Sequence, residues 1–131
     1  MSDVRSELNR ARATLVAAEL TERPAERYLT AQLAAGQVAA VVIGARVSRP
    51  RPQRRNVWQV VRDIAPELGE WAGYFHAVQG KCDVVRAGAS AIVTSREADD
   101  LVRDAYAFAD AVEQRLNRPR RESLSRSARP G

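Results

Sequence analysis

The stretch VTSREADDLVRDAYAFADAVEQRL, residues 93–116, decides the fold of this chain. Small and apolar residues recur along it in steps of three and four, which places them on one stripe of an α-helix. The stripe consists of Ala98, Leu101, Val102, Ala105, Phe108, Ala109, Val112 and Leu116. Thr94 and Glu97 have the spacing of a capping box at its start, and Asn117 and Pro119 predict its end. We therefore expect a long amphipathic last helix whose stripe packs against the preceding chain.

Four earlier segments also carry a helical pattern. We expect a first helix over 3–20, a second over 24–47, a third that Asn56 caps and a fourth that Pro66 starts. Gly88 predicts the end of the fourth helix. No long strand pattern is present, and short connections between long helices imply antiparallel neighbours. The predicted fold class is all-α, an up-and-down antiparallel bundle of four to five helices.

The second helix is apolar over most of its circumference, as is typical of a helix in the middle of a bundle. Residues 28–45 carry no charge, and a membrane span needs a similar length, but interrupting Thr and Gln residues and many Ala residues favour a core helix. Gly36, Ala40 and Gly44 lie four residues apart and predict a groove for close helix packing. Packing within one chain is the first interpretation, and a groove between two copies is the alternative.

The composition is that of one globular domain. The chain has 131 residues, of which 45% are hydrophobic and 28% are charged, and Lys81 is the one lysine among 21 basic residues. Cys82 is the single cysteine, so neither an intramolecular disulfide nor a cysteine-based zinc site is predicted. The charged N-terminus lacks the apolar core of a signal peptide. We expect a cytoplasmic protein with no membrane contact.

Positive charge is concentrated in two segments. Five arginines and no acid lie between positions 46 and 55, and five arginines and one acid lie in the tail, 117–131. We expect a bundle domain over 1–116 and a disordered Arg-rich tail over 117–131. The candidate residues for binding nucleic acid or a protein partner are Arg46, Arg49, Arg51, Arg54 and Arg55. They could neutralise phosphates, or form a solubilising loop, and no aromatic residue between them supports base stacking.

Catalytic and metal-binding candidates are weak. His76, the only histidine, lies beside the apolar seam of the fourth helix without an acidic residue four positions away, so a structural role is favoured over acid–base chemistry. The acids of the last helix are Asp99, Asp100, Asp104 and Asp110. Arg96 and Arg103 interleave them, which favours a salt-bridged face over a metal site. Cys82 and the tryptophans fit the core, and we predict no metal and no cofactor.

Several runs resemble the HEPN superfamily, in a small branch common in GC-rich bacteria. They are ERY at 26–28, the opening of the third helix at 56–61, APELGEWAGYF at 65–75 and SREADDLVRDAYAF at 95–108. The resemblance covers about residues 3–116 and implies a four- to five-helix bundle, often homodimeric. Many HEPN relatives are metal-independent RNases or toxins, whereas others pair with small nucleotidyltransferases or are inactive binding domains.

The resemblance does not extend to the RNase site. In catalytic relatives an arginine precedes a histidine by four to six intervening residues, but Gly69, Glu70 and Trp71 occupy those positions before His76. We therefore expect a non-catalytic helical interaction module, homodimeric, that binds a protein partner or nucleic acid through the 46–55 loop. The alternative is a HEPN-type RNase, toxin or toxin–antitoxin component with an atypical site around His76.

Overall fold

The computed structural model describes residues 2–46 and 56–128, with side chains described over 3–46 and 56–117. Within this part of the chain there is no strand, and five α-helices follow one another. They are α1 (Ser2–Glu19), α2 (Pro24–Arg46), α3 (Val57–Ile64), α4 (Gly69–Arg86) and α5 (Ser95–Ala128). The predicted all-α bundle is confirmed.

The local signals that the sequence carries at the helix ends are present in the structure. Asn56 accepts the Trp58 backbone N–H on Oδ1 at 2.8 Å and so caps α3. Thr94 Oγ1 accepts the Glu97 N–H at 3.0 Å, while the Thr94 N–H donates to Glu97 Oε1 at 3.1 Å, which is the predicted capping box. Gly88 has a φ of 121°, a conformation that glycine adopts without steric cost, just after α4. These capping predictions are confirmed.

Helix α2 is the central element of the bundle. It packs against α1, α3, α4 and α5. One row along it is fully buried and consists of Tyr28, Gln32, Ala35, Ala39 and Val42. By length and composition α2 would also pass as a membrane span, but half of its apolar window is buried inside the bundle. Its position among four helices explains why the residues of this buried row carry no charge.

An aromatic cluster joins α3, α4 and α5. Phe75 of α4 lies between Trp58 and Phe108, with ring centroids 5.2 Å and 5.1 Å away. Trp71 closes the group at 5.6 Å from Phe108. Such pairs contribute about 0.5–1.5 kcal/mol each beyond the area they bury. The prediction that these aromatic residues form part of the core is confirmed.

The helix end predicted at Asn117 and Pro119 is wrong, because α5 continues through both residues to Ala128. A proline removes one backbone donor and disfavours a helix locally, but the arginines and the glutamate that follow have good helix propensity. Residues 117–128 are thus helical where the sequence predicted disorder. The division into a bundle domain and a separate tail stays a prediction.

Candidate functional site

The weak catalytic candidate, His76, lies exposed on α4. No hydrogen bond or ion pair to its ring is formed within the described side chains, so nothing there orients or activates it as an acid or base. The sequence analysis missed Arg62 of α3, which reaches the same helix. Its Nη2 lies 3.4 Å from the point where a Cβ on Gly73 would stand, one helical turn before His76. The fold therefore brings an arginine to this helix face from a different helix.

Of the predicted binding arginines, only Arg46 lies within the described residues. It ends α2, donates from Nη1 to the Ile64 carbonyl at 3.2 Å and forms an ion pair with Glu67 through Nη2. This hydrogen bond to the carboxylate holds the pKa of Glu67 below its usual value. Arg46 thus fastens α2 to the segment before α4. The remaining four candidates, Arg49, Arg51, Arg54 and Arg55, lie outside the described residues.

A cavity of about 230 Å³ lies beside Arg46, between α2, the 66–68 turn and α5. We call it the α2–α5 cavity. Its apolar walls come from Val42, Leu68, Val112 and Leu116, and its charged edge comes from Arg46 and Arg115. Arg115 has no ion-pair partner within 4 Å among the described residues, although its charge contributes to the lowered pKa of Glu67. Sequence reasoning missed this arginine, because the cavity that it lines forms only when α2 packs against α5.

Three of the four acids named on α5 bond to side chains of neighbouring helices, whereas Asp100 pairs with Arg103 of α5 itself at 3.1 Å. Asp99 pairs with Arg27 at 2.8 Å and Asp110 with Arg12 at 2.9 Å. Asp104 accepts the Tyr74 hydroxyl at 2.7 Å. Burial, and then this hydrogen bond, raise the pKa of Tyr74 above its usual value. The predicted salt-bridged face is present, and the described residues hold no group of three potential metal ligands.

Arg27 belongs to a polar pocket that the sequence did not indicate. The pocket has a volume of about 440 Å³ and lies where α1 ends, α2 begins and α5 passes. Glu19 and Tyr106 also line it, and Tyr106 donates its hydroxyl to Glu19. Burial and this hydrogen bond raise the pKa of Tyr106 to about 12. These polar side chains are already paired with one another, and their hydrogen bonds and ion pairs stabilise the junction of the three helices.

Cys82 is buried in the seam of α4, as predicted. Burial raises the pKa of its thiol to about 11. A thiol with so high a pKa is protonated near neutral pH and is a poor nucleophile. Cys82 therefore acts as a small core residue.

The outer face of α2 has no charged residue. We define it as Leu29, Leu33, Gly36, Ala40 and Gly44. Leu33 is 56% exposed, and a Cβ added at Gly36 or Gly44 would meet nothing within 4 Å. The close packing within one chain that these small residues predicted is therefore wrong for the described residues. The alternative, a groove between two copies, stays a prediction.

The fold and these surfaces define a small all-α bundle with two chemically different faces on its central helix. A comparison with family models then identifies the chain: it belongs to the HEPN_SAV_6107-like HEPN family, whose model matches residues 18–113. The resemblance to HEPN domains noted in the sequence is thereby confirmed. Neither the curated proteins nor the solved structures include a significant match to the chain.

Proposed function

We propose that this HEPN domain is a non-catalytic interaction module that works as a homodimer. The observation that carries the proposal is the outer face of α2, where Leu33 is 56% exposed and no charged side chain interrupts the row from Leu29 to Gly44. Burying one exposed leucine side chain contributes about 1.5–3 kcal/mol. A second copy of the chain can bury this face, since a two-fold axis packs the same face of both copies against each other.

The order of residues on this face favours an antiparallel pair. The large side chains, Leu29 and Leu33, lie in the first half of the face, and the small residues, Ala40 and Gly44, lie in the second half. When two copies of α2 cross antiparallel near Gly36, Leu33 of one copy faces Ala40 of the other and Leu29 faces Gly44. A parallel pair would instead place leucine against leucine and glycine against glycine, which leaves both a crowded and an empty region.

The experiment is a comparison of Leu33→Glu with Val84→Glu by sedimentation velocity over a protein concentration series. Val84 is the matched control because it is 49% exposed on α4, away from the outer face of α2. We expect the wild type and Val84→Glu to dimerise and Leu33→Glu to weaken dimerisation by at least about tenfold, since each interface would bury two unpaired carboxylates. A wild-type protein that stays at 14.4 kDa throughout would overturn the proposal.

The proposed module binds its partner through the 46–55 loop, in a cytoplasmic setting that suits a chain with one buried cysteine. The support for this part is charge, with five arginines and no acid over these ten positions. If the partner is nucleic acid, binding to duplex DNA or RNA weakens as salt rises and as Arg49, Arg51, Arg54 and Arg55 are changed to serine. An affinity indifferent to both changes would remove phosphate contact from the proposal.

RNA cleavage is the second candidate function, and the position of Arg62 favours it. Arg62 of α3 reaches α4 at Gly73, one helical turn before His76. It brings a cation to a helix where the sequence has Gly69, Glu70 and Trp71 in place of the arginine. Growth arrest on expression and RNA cleavage, both lost in His76→Ala and in Arg62→Ala, would establish this function. An RNA substrate that stays intact with purified protein would exclude this function and leave the non-catalytic interaction module.

A further inference from the structure

The α2–α5 cavity combines an apolar interior with a cation that has no ion-pair partner among the described residues. Val42, Leu68 and Val112 are at most 3% exposed as residues, so their side chains form a firm apolar wall. Arg46 at the edge is already neutralised by Glu67. Arg115 is half-buried in the lining, and although its charge acts on Glu67, it forms no ion pair within 4 Å among the described residues.

We propose that this cavity binds an acidic peptide segment of a protein partner, with one apolar side chain inserted and a neighbouring carboxylate on Arg115. The inference rests on the proposed function as an interaction module and names the class of partner. An apolar anchor in a pocket with a charge-assisted contact at its edge is the arrangement that carries most of the affinity in many protein interfaces.

Two other occupants fit the cavity less well. A nucleic acid would use aromatic side chains for base stacking, and none of the residues that line the cavity is aromatic. The chain's own tail carries five arginines and a single acid over 117–131, so it would be repelled by Arg115. The lining chemistry therefore favours a segment with acids on both sides of one apolar residue.

The test is fluorescence anisotropy of the full chain with a labelled Glu-Asp-Leu-Asp-Glu peptide and its counterpart with Gly at the centre. We expect saturable binding of the Leu peptide, at least about tenfold weaker with Arg115→Ala, as for loss of a charge-assisted hydrogen bond. Ala45→Phe, which fills the cavity from an exposed position on its edge, should weaken binding as well. The matched control is Arg96→Ala, an exposed arginine at the other end of α5, and it should bind as the wild type does.

Three results would overturn the inference. Equal binding of the Leu and Gly peptides would show that the apolar interior is not used. Binding that does not saturate up to about millimolar peptide would be weaker than the micromolar affinity of specific contacts. It would show that no peptide site exists. Displacement of the peptide by a single-stranded RNA oligonucleotide whose own binding needs Arg115 would show that the cavity serves nucleic acid. All three outcomes are separate from the dimer test, since Leu33 lies outside the cavity.

Discussion

The outer face of α2 and the acidic face of α5 differ in how far other side chains of the same chain pair with them or cover them. On α5, Asp99, Asp104 and Asp110 each bond to a side chain from another helix of the same chain. On α2, Leu33 stands in solvent and Gly36 meets nothing within 4 Å. The acids of one face are paired within the chain, whereas the described residues leave part of the other face uncovered.

This difference shows that the apolar sequence of a helix row does not reveal whether the row is buried or exposed. Helix α2 carries two rows of similar composition, and the row through Ala35 and Ala39 is fully buried. The row through Ala40 is exposed at Leu33, Ala40 and Gly44 and half-buried at Leu29 and Gly36. Four helices surround the inner row, and among the described residues none of them covers Leu33 on the outer row.

The largest expected effect is a difference in stability between the same substitution, alanine to glutamate, on the inner and on the outer row of α2. Ala35→Glu places a carboxylate where exposure is 0%, and we expect it to destabilise the fold by at least about 3 kcal/mol, because the charge is buried without a partner. Ala40→Glu, on the exposed row, should change the stability of the monomer by less than about 0.5 kcal/mol. Urea unfolding followed by circular dichroism at low protein concentration measures both. Equal losses in the two variants would contradict the assignment of inner and outer rows.

The second effect tests whether the face of α5 is complete within the chain. Arg27 donates to the Thr21 and Glu22 carbonyls at 3.0 and 2.9 Å and to Asp99 at 2.8 Å. Arg27→Ala should lower the free energy of unfolding by about 1–3 kcal/mol, since these acceptors lose a charged donor. Arg103→Ala is the control, because that side chain is 70% exposed and its ion pairs should contribute less than about 1 kcal/mol. Thermal unfolding that ranks Arg103 above Arg27 would refute this account.

The smallest effect concerns the Arg46–Glu67 ion pair at the end of α2. The hydrogen bond from Arg46 lowers the pKa of Glu67 from its ordinary value of 4.5. The carboxylate is therefore favoured in the folded state, so the pair stabilises the fold above pH 4.5 and the contribution is lost as pH falls. We expect Glu67→Gln to cost at most about 1 kcal/mol at pH 7, and the difference from wild type to vanish in acid.

Measurement of urea unfolding at a series of pH values from neutral to acid tests the Glu67 prediction. Glu70→Gln serves as the control, because Glu70 is exposed nearby and makes no ion pair among the described residues. A Glu67→Gln protein as stable as the wild type at pH 7 would show that the pair contributes nothing.

Most of the fold could be predicted because its signals are local. The Thr94–Glu97 capping box, the Asn56 cap and the turn at Gly88 depend on a few neighbouring residues, and each is found as expected. The end of α5 could not be predicted in the same way. Pro119 weakens a helix without forbidding it, and the sequence holds no signal strong enough to decide between the two outcomes.

Little of the candidate sites could be predicted, since each depends on residues from different helices. Arg46 was found by its place in a basic segment, but its ion pair with Glu67 requires the turn of the chain at Pro66. Arg115 and Arg62 acquire a position only once α5 and α3 have packed against the central helices. No spacing along the chain marks them.

By itself the sequence determined the helices, the buried seams and the membership of the HEPN class, because periodicity, caps and turns act over a few residues. The tertiary structure alone decided which row of α2 remains exposed, and which arginine stands over an apolar cavity. Both depend on the arrangement of distant helices, and an arginine or a leucine has the same local pattern whether another helix covers it or water does.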